Sequence, residues 1–397
     1  MDRRDFLASL LATAGLAGSG LAFASAPTDR RFVFVILRGG LDGLHVLAPH
    51  GDPDYRSARG AIALPGPGEV DGVLDLDGLF GLHPSLATLL PLWKEGELGF
   101  VHGVGGPLRT RSHFDAQDAL ENGTDTATRA DGWLNRAVAA LDGPTDAVAF
   151  GAELPLVLRG ASPVSSVDPL GRSRAEPALL DAVAALYADD PILGPALAAG
   201  RSEQEKVDVE IANAGLSGVK SRPGKGLDAG YAKVAGTLIA APDGPRIAVM
   251  EAGGWDSHHN QGLASGGLTG RLEGIASALV AFKGALGPVW QDTVVVVVSE
   301  FGRAVAGNGT GGTDHGTGGL LWLAGGGVHG GRVHGGWPGL SARALFEGRD
   351  LAPSTDVRAV LKGVLRDHLG LGEAALADRV FPGAGSVAAL DGLVRRV

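Results

Sequence analysis

Short apolar runs recur along the chain, and helical periodicity fills most of the gaps between them. Residues 31–37 read RFVFVIL, with charge before them and Gly39-Gly40 after. That is the pattern of a strand buried on both faces of a parallel sheet. Residues 246–251 (RIAVME), 293–298 (TVVVVV) and 319–324 (GLLWLA) repeat it, and 99–102 (GFVH) is a shorter case. Apolar positions at helical spacing run through 84–96, 113–122, 132–141, 267–287 and 355–369. Strands alternating with helices predict an α/β fold with a central, mostly parallel sheet and helices on both faces. From about 176 to 239 the chain is charge-bearing and helical, with no strand-like run. This segment is expected to be a helical insertion in a single domain spanning 25–397.

Composition narrows the classes. The chain has 397 residues, 45% of them hydrophobic, which excludes a disordered protein. It contains no cysteine, so a disulfide framework, a thiolate zinc site and a cysteine nucleophile are all excluded. A formal net charge of -10 argues against nucleic acid as a partner. The first residues, Asp2-Arg3-Arg4-Asp5-Phe6-Leu7, precede a modestly apolar, Gly-containing run and then Ala22-Phe23-Ala24. Paired arginines, an apolar stretch and a small-x-small site predict a twin-arginine signal peptide, 1–24, cleaved before Ser25. The expected location is periplasmic or secreted, with the twin-arginine translocase as the partner during export. No later stretch is expected to span a membrane.

The acids and histidines fall where strands end. The first strand runs into Gly39-Gly40-Leu41-Asp42, and the strand at 246–251 into Gly254-Trp255-Asp256-Ser257-His258-His259. The valine strand ends in Ser299-Glu300-Phe301, and a Gly loop then carries Asp314-His315. In an open α/β sheet, ligands bind beyond the carboxyl ends of the strands. Carboxylates and imidazoles gathered there suit a divalent metal such as zinc, manganese, calcium or magnesium. Taken singly, Asp42 and Asp314-His315 also fit turns, and Asp256 fits a helix cap. One of His258 and His259 is expected at the surface. His45, His50, His83, His329, His334 and His368 are read as structural or surface residues. Glu300 after five valines is costly to bury unless solvated or liganded.

The stretch Arg109-Thr110-Arg111-Ser112-His113-Phe114-Asp115 opens a predicted helix. Ser112 with Asp115 resembles a capping box. The same hydroxyl, at a helix N-terminus flanked by arginines, also suits binding or attack on a phosphate or sulfate. No G-x-S-x-G elbow and no P-loop is present.

The ordered segments LRGGLDGL, VHGVGGPLRTRSHFDAQDALENG, GGWDSHHNQ, SEFGR, GGTDHGTGG and GGRVHGGWPGL resemble the exported bacterial family known as domain of unknown function 1501. The resemblance covers nearly all of the chain after the leader. It implies kinship with the alkaline phosphatase-like and sulfatase-like superfamily, whose members bind one or two divalent metals. On that resemblance Asp42 matches the first-strand metal ligand, and Ser112 matches the nucleophile before a helix. Asp256 with His258 or His259 resembles the superfamily's Asp-His pair at a shorter spacing. Glu300-Phe301 stands where Asp-His is common, and His315 resembles the last histidine ligand. Phe301 cannot coordinate a metal.

The expectation is therefore an exported, metal-dependent hydrolase of a phosphate or sulfate ester, on a small molecule or a polymer. Asp42, Asp256, His258, Glu300 and His315 would hold metal, Ser112 would attack, and Arg111 would stabilise charge on the transferring group. The alternative is a non-catalytic metal- or ligand-binding envelope protein of the same fold.

Overall fold

The computed structural model describes residues 29–141, 145–151, 153–170, 175–219 and 227–395. The expected export signal and its cleavage point fall outside the described residues. One nine-stranded sheet organises the chain. Its strands are β1 (Arg31–Leu37), β2 (Leu98–Gly105), β3 (Ala147–Phe150), β4 (Ser165–Val167), β5 (Ile247–Ala252), β6 (Thr293–Ser299), β7 (Gly319–Ala324), β8 (Val333–His334) and β9 (Thr355–Asp356). The order across the sheet is β8-β2-β7-β6-β1-β5-β3-β4, with β9 also paired to β2.

The sheet is α/β and mostly parallel, as the apolar runs predict. β1 pairs in parallel with β5 and β6, and β3 in parallel with β5 and β4. β7 corrects the expectation of another parallel strand, because it runs antiparallel to both β6 and β2. The reason is the connection. The chain leaves β6 and returns through a loop with no helix, and only an antiparallel neighbour can be reached without a crossover helix. β3 and β4 are not evident in the sequence: one is a four-residue AVAF, the other a half-polar SSV at the sheet's edge.

Alternate residues of each strand serve two separate cores. Phe32, Phe34 and Ile36 pack with Trp133 of helix α2 (Trp133–Ala140) and Leu361 of a C-terminal helix, Val357–Leu369. Val33, Val35 and Leu37 face the other way, onto helices Ala229–Ala240 and Thr269–Leu286. In chain order the long helices are α1 (His113–Asn122), α2, α3 (Pro177–Tyr187), α4 (Leu193–Asn213), α5 (Ala229–Ala240), α6 (Thr269–Leu286) and α7 (Val357–Leu369). Gly236 of α5 lets that helix lie against α6, since a Cβ there would come within 2.8 Å of the Ala285 Cβ. The predicted helix over 84–96 is a 3-10 turn, Pro84–Leu89, followed by a short helix, Leu90–Lys94. Pro91 has no N–H to continue an α-helical ladder through that point.

Between β4 and β5 the described residues form α3, α4 and α5 and no strand. α5 packs its apolar residues into the core, whereas α3 and α4 have no fully buried side chain. The expectation that no later stretch is long and apolar enough to cross a membrane needs correcting. Thr269–Asp292 meets that measure by length and composition. Its apolar character is used in packing: Leu272, Ile275, Leu279, Phe282 and Leu286 are buried against the sheet.

Two core histidines tie stability to pH. His102 donates from Nε2 to the Leu47 carbonyl at 2.8 Å, since a carbonyl only accepts. His368 does the same with the Arg31 carbonyl at 2.8 Å. Burial pushes both imidazoles down to about 4. With the folded value below the unfolded value of about 6.5, the unfolded chain binds the proton first. Their contribution is intact above pH about 6.5 and is lost as pH falls toward 4, by roughly 3 kcal/mol for each. Urea midpoints measured at pH 7 and pH 4.5 should therefore differ strongly, and His102→Gln should shrink that difference. An unchanged difference in the variant would remove His102 from the account.

Candidate metal centre

The topology brings five loops to one edge of the sheet. β1, β2, β5 and β6 all end there, and β7, being reversed, begins there. His315 precedes β7 and so arrives beside the residues that follow the parallel strands. Two glycines allow the close approach. Gly39 has φ +126°, and a Cβ on it would lie 2.5 Å from the Asp256 backbone nitrogen. Gly40 has φ +72°, and a Cβ there would strike the Phe301 ring at 2.4 Å. Only glycine combines those backbone angles with that lack of bulk.

Three imidazoles and one carboxylate converge in this crevice. His113, the first residue of α1, donates from Nδ1 to Glu300 Oε1 at 2.8 Å. Its Nε2 is buried, has no hydrogen-bond partner and lies 3.6 Å from Asp256 Oδ2. His315 donates from Nδ1 to the Arg111 carbonyl at 2.8 Å. That leaves His315 Nε2 as a lone pair, 3.4 Å from Asp256 Oδ1 and 2.8 Å from His258 Nε2. His258 Nε2 is 3.1 Å from Asp256 Oδ1, and its Nδ1 faces Asp314 Oδ1 at 3.5 Å. Ligand atoms of His113, Asp256 and His315 all lie within 4.8 Å of one another. His113 and His315 thus each commit Nδ1 to an oxygen acceptor and turn Nε2 inward, the arrangement that fixes tautomer and direction in histidine metal ligands, while His258 turns Nε2 inward as the donor to the His315 lone pair.

Electrostatics keep these groups in metal-competent forms. Burial acts to raise the Asp256 carboxyl, but Arg303, donating from Nη1 to Asp256 Oδ1 at 2.6 Å, outweighs it and holds the carboxyl below its ordinary range. Burial lowers His315, with the His113 and Arg303 charges adding to the effect, so its ring is neutral near pH 7. Glu300 is fully buried. It stays ionised because donors from Gln117, His113 and Ser299 outweigh burial. The Gly39 N–H, at 2.8 Å, adds a backbone donor.

Several expected residues find other uses. Asp42 lies among buried partners, where Oδ2 accepts from Arg59 Nη2 at 2.6 Å and from Gln261 Nε2 at 2.8 Å. Oδ2 is committed to that buried ion pair, which places Asp42 apart from the group formed by His113, Asp256 and His315. Gln261 in turn accepts from Ser257, which ties Asp42 to the loop bearing Asp256 and His258. Glu300 also stands apart from that group: donors meet both of its oxygens, and it orients His113 from behind. Arg111 donates from Nε and Nη2 to the fully buried Asp350 and from Nη2 to Glu347, so two of its three guanidinium nitrogens are engaged by carboxylates. The site uses its carbonyl instead. Ser112 is the N-cap residue of α1, but its side chain makes no capping hydrogen bond, so the expected capping box does not form.

The two adjacent histidines point in different directions. His258 turns inward, while His259 is exposed and its backbone bridges Gly311. Asn308 and Thr310 both donate to the His258 carbonyl, at 2.9 and 2.6 Å, and hold that residue in place. Phe301 is buried, with its ring 4.8 Å from that of His113 and 5.0 Å from that of His315. It packs against imidazoles where a coordinating residue could have stood. His113 is the residue that sequence reasoning passes over. Its only local signal is a histidine at the first helical position beside Ser112, in a stretch whose arginines and serine draw the attention.

These placements predict different outcomes for two aspartates. Asp42→Asn leaves Arg59 buried without its counter-charge, and loss of one partner of such a pair costs about 3–5 kcal/mol. Thermal unfolding should move down markedly while bound metal, assayed on the folded fraction, stays the same. Asp256→Asn should do the reverse. Loss of metal in Asp42→Asn at unchanged stability would restore Asp42 as a ligand.

A family profile described as protein of unknown function (DUF1501) matches residues 105–380. No curated protein matches the sequence. His113, Asp256, His258, Glu300 and His315 all fall inside the matched span, whereas Asp42 and its partner Arg59 precede it. Because the match covers well over half of the 397 residues, the chain belongs to the DUF1501 family.

Proposed function

We propose that this protein is a metal-dependent hydrolase of a phosphate or sulfate ester, exported by the twin-arginine route and built on an alkaline phosphatase-like and sulfatase-like fold. The observation that carries the reading is the inward convergence of His113, His258 and His315 Nε2 on the Asp256 carboxylate, with the His113 and His315 rings each backed by an oxygen acceptor. These four residues would hold the metal. The buried, unpartnered His113 Nε2 is the strongest sign of fit, because a nitrogen lone pair in that position lacks a partner within the protein. Three imidazoles and a carboxylate suit zinc or manganese better than calcium. A cation bound there would supply Lewis-acid polarisation of the ester.

The chain's own groups complete the reading. Ser112, adjacent to His113 and not engaged in capping, is the proposed nucleophile. The first N–H groups of α1 point away from the helix toward whatever lies beyond its N-terminus, and that end favours an oxyanion. Arg303 keeps Asp256 ionised, and Glu300 keeps His113 turned inward. A mostly parallel sheet with the cluster at its carboxyl edge supports the proposed fold kinship.

One observation favours the second reading, a non-catalytic metal-binding envelope protein. Arg111 and Arg303, two guanidinium groups beside the cluster, are both tied to carboxylates. Elemental analysis of the metal-loaded full chain, combined with assays on p-nitrophenyl phosphate and p-nitrophenyl sulfate, separates the two. The expected result is bound divalent metal that is lost in His113→Ala and His315→Ala. Glu300→Gln should weaken metal affinity by about 10–100-fold. Ser112→Ala should keep the metal and lose turnover of one of the two esters. Metal without any Ser112-dependent turnover would move the reading to the binding protein, and no metal after loading with zinc and manganese would overturn both.

A further inference from the structure

Away from the metal crevice, helix α4 and the strands β3 and β4 at one side of the sheet line a cavity of about 580 Å3, within the range of small-molecule sites. Much of its lining is apolar, from Val148 and Phe150 of β3, Val167 of β4, Val207 of α4 and Leu238 of α5. α4 has no fully buried side chain to fill that space. The remaining lining is charged almost entirely in one sense: Asp146, Glu203, Glu205, Glu210 and Asp243 stand against Lys206. Lys206 is itself paired, with Nζ 2.7 Å from Glu203 Oε1. Burial and the Glu203 charge raise the Asp146 carboxyl, only partly offset by Arg246, as expected of an acid short of positive charge. Asp146 and Asp243 lie just before β3 and β5, at the amino edge of the sheet, opposite the metal crevice.

An apolar cavity can take an apolar body of either charge. Its carboxylates decide the head, because an anionic headgroup would be repelled there and an ammonium or guanidinium group would gain paired charge at the half-buried Asp146 and Glu203, with exposed Glu205, Glu210 and Asp243 around them. We propose that the cavity between α4 and the β3–β4 edge is a binding site for a cationic amphiphile, an apolar chain or ring carrying one positive head. It is independent of the metal centre and of the reaction proposed for it.

Calorimetric titration of the full chain with dodecyltrimethylammonium, dodecyl sulfate and uncharged dodecyl maltoside, each below its micelle concentration and at one ionic strength, tests this. The ammonium should show saturable binding about tenfold tighter than the maltoside, and the sulfate should show none. Val207→Trp, which fills the cavity, should abolish ammonium binding. Glu203→Gln, which removes an acid and releases Lys206 toward the site, should weaken it several-fold with the circular dichroism spectrum unchanged. Equal affinity for the three amphiphiles, no saturable ammonium binding, or ammonium binding unaffected by Glu203→Gln would each overturn the proposal. Should Val207→Trp fail to fold, Glu203→Gln decides alone.

Discussion

A carboxylate buried just past a strand of five consecutive valines must be met by donors, and the arrangement around Glu300 follows from that requirement. Oε1 accepts from the Gly39 backbone after β1 and from His113 and Gln117 on α1, while Oε2 accepts from Ser299 on its own strand. One side chain therefore joins the exits of two strands to the first turns of a helix. Leaving such an anion unpaired would cost more than any of these bonds contributes alone. The donors are held together as a set, and His113 is oriented as a consequence. Gln117 extends the connection to Arg38, which is itself held by Glu121 and Glu251.

The same logic recurs at the other imidazoles. A histidine contributes a directed lone pair only when its second nitrogen is committed. His315 is committed to the Arg111 carbonyl, and His258 faces Asp314. Behind this layer Asp42, Arg59 and Gln261 form a dry ion pair that secures the loop after β5. The charged residues at this end thus divide into those that converge on the crevice and those that hold the loops in place. Asp42 and Glu300 belong to the second group although each is an acid in the position of a ligand.

Much of the fold is legible in the residues. β1 and β7 occupy the runs expected of them, and α1 spans the predicted 113–122. Doubly buried strands must be apolar throughout, so they stand out in a chain with charged helices. β3 and β4 do not stand out, because short Ala-Val and Ser-Ser-Val segments carry no distinctive period. The direction of β7 is equally hidden, since an apolar run of six residues reads the same in either sense.

Of the candidate cluster, Asp256, His258 and His315 are visible in the sequence because they follow or precede strand runs and sit among glycines. What the sequence by itself determined is that acids and histidines collect where strands end, since strand ends are set by local apolar pattern. Which of those groups turn inward depends on partners in other segments of the chain, from 17 residues away for Arg59 and Asp42 to 239 for Arg111 and Asp350. Arg59 claims Asp42, Asp350 claims the Arg111 guanidinium, and the donors around Glu300 claim that carboxylate. His113 enters the cluster because the reversal at β7 brings His315 to the ring that Glu300 holds from behind. Such choices are made by hydrogen bonds between separate segments of the chain, and local periodicity carries no record of them.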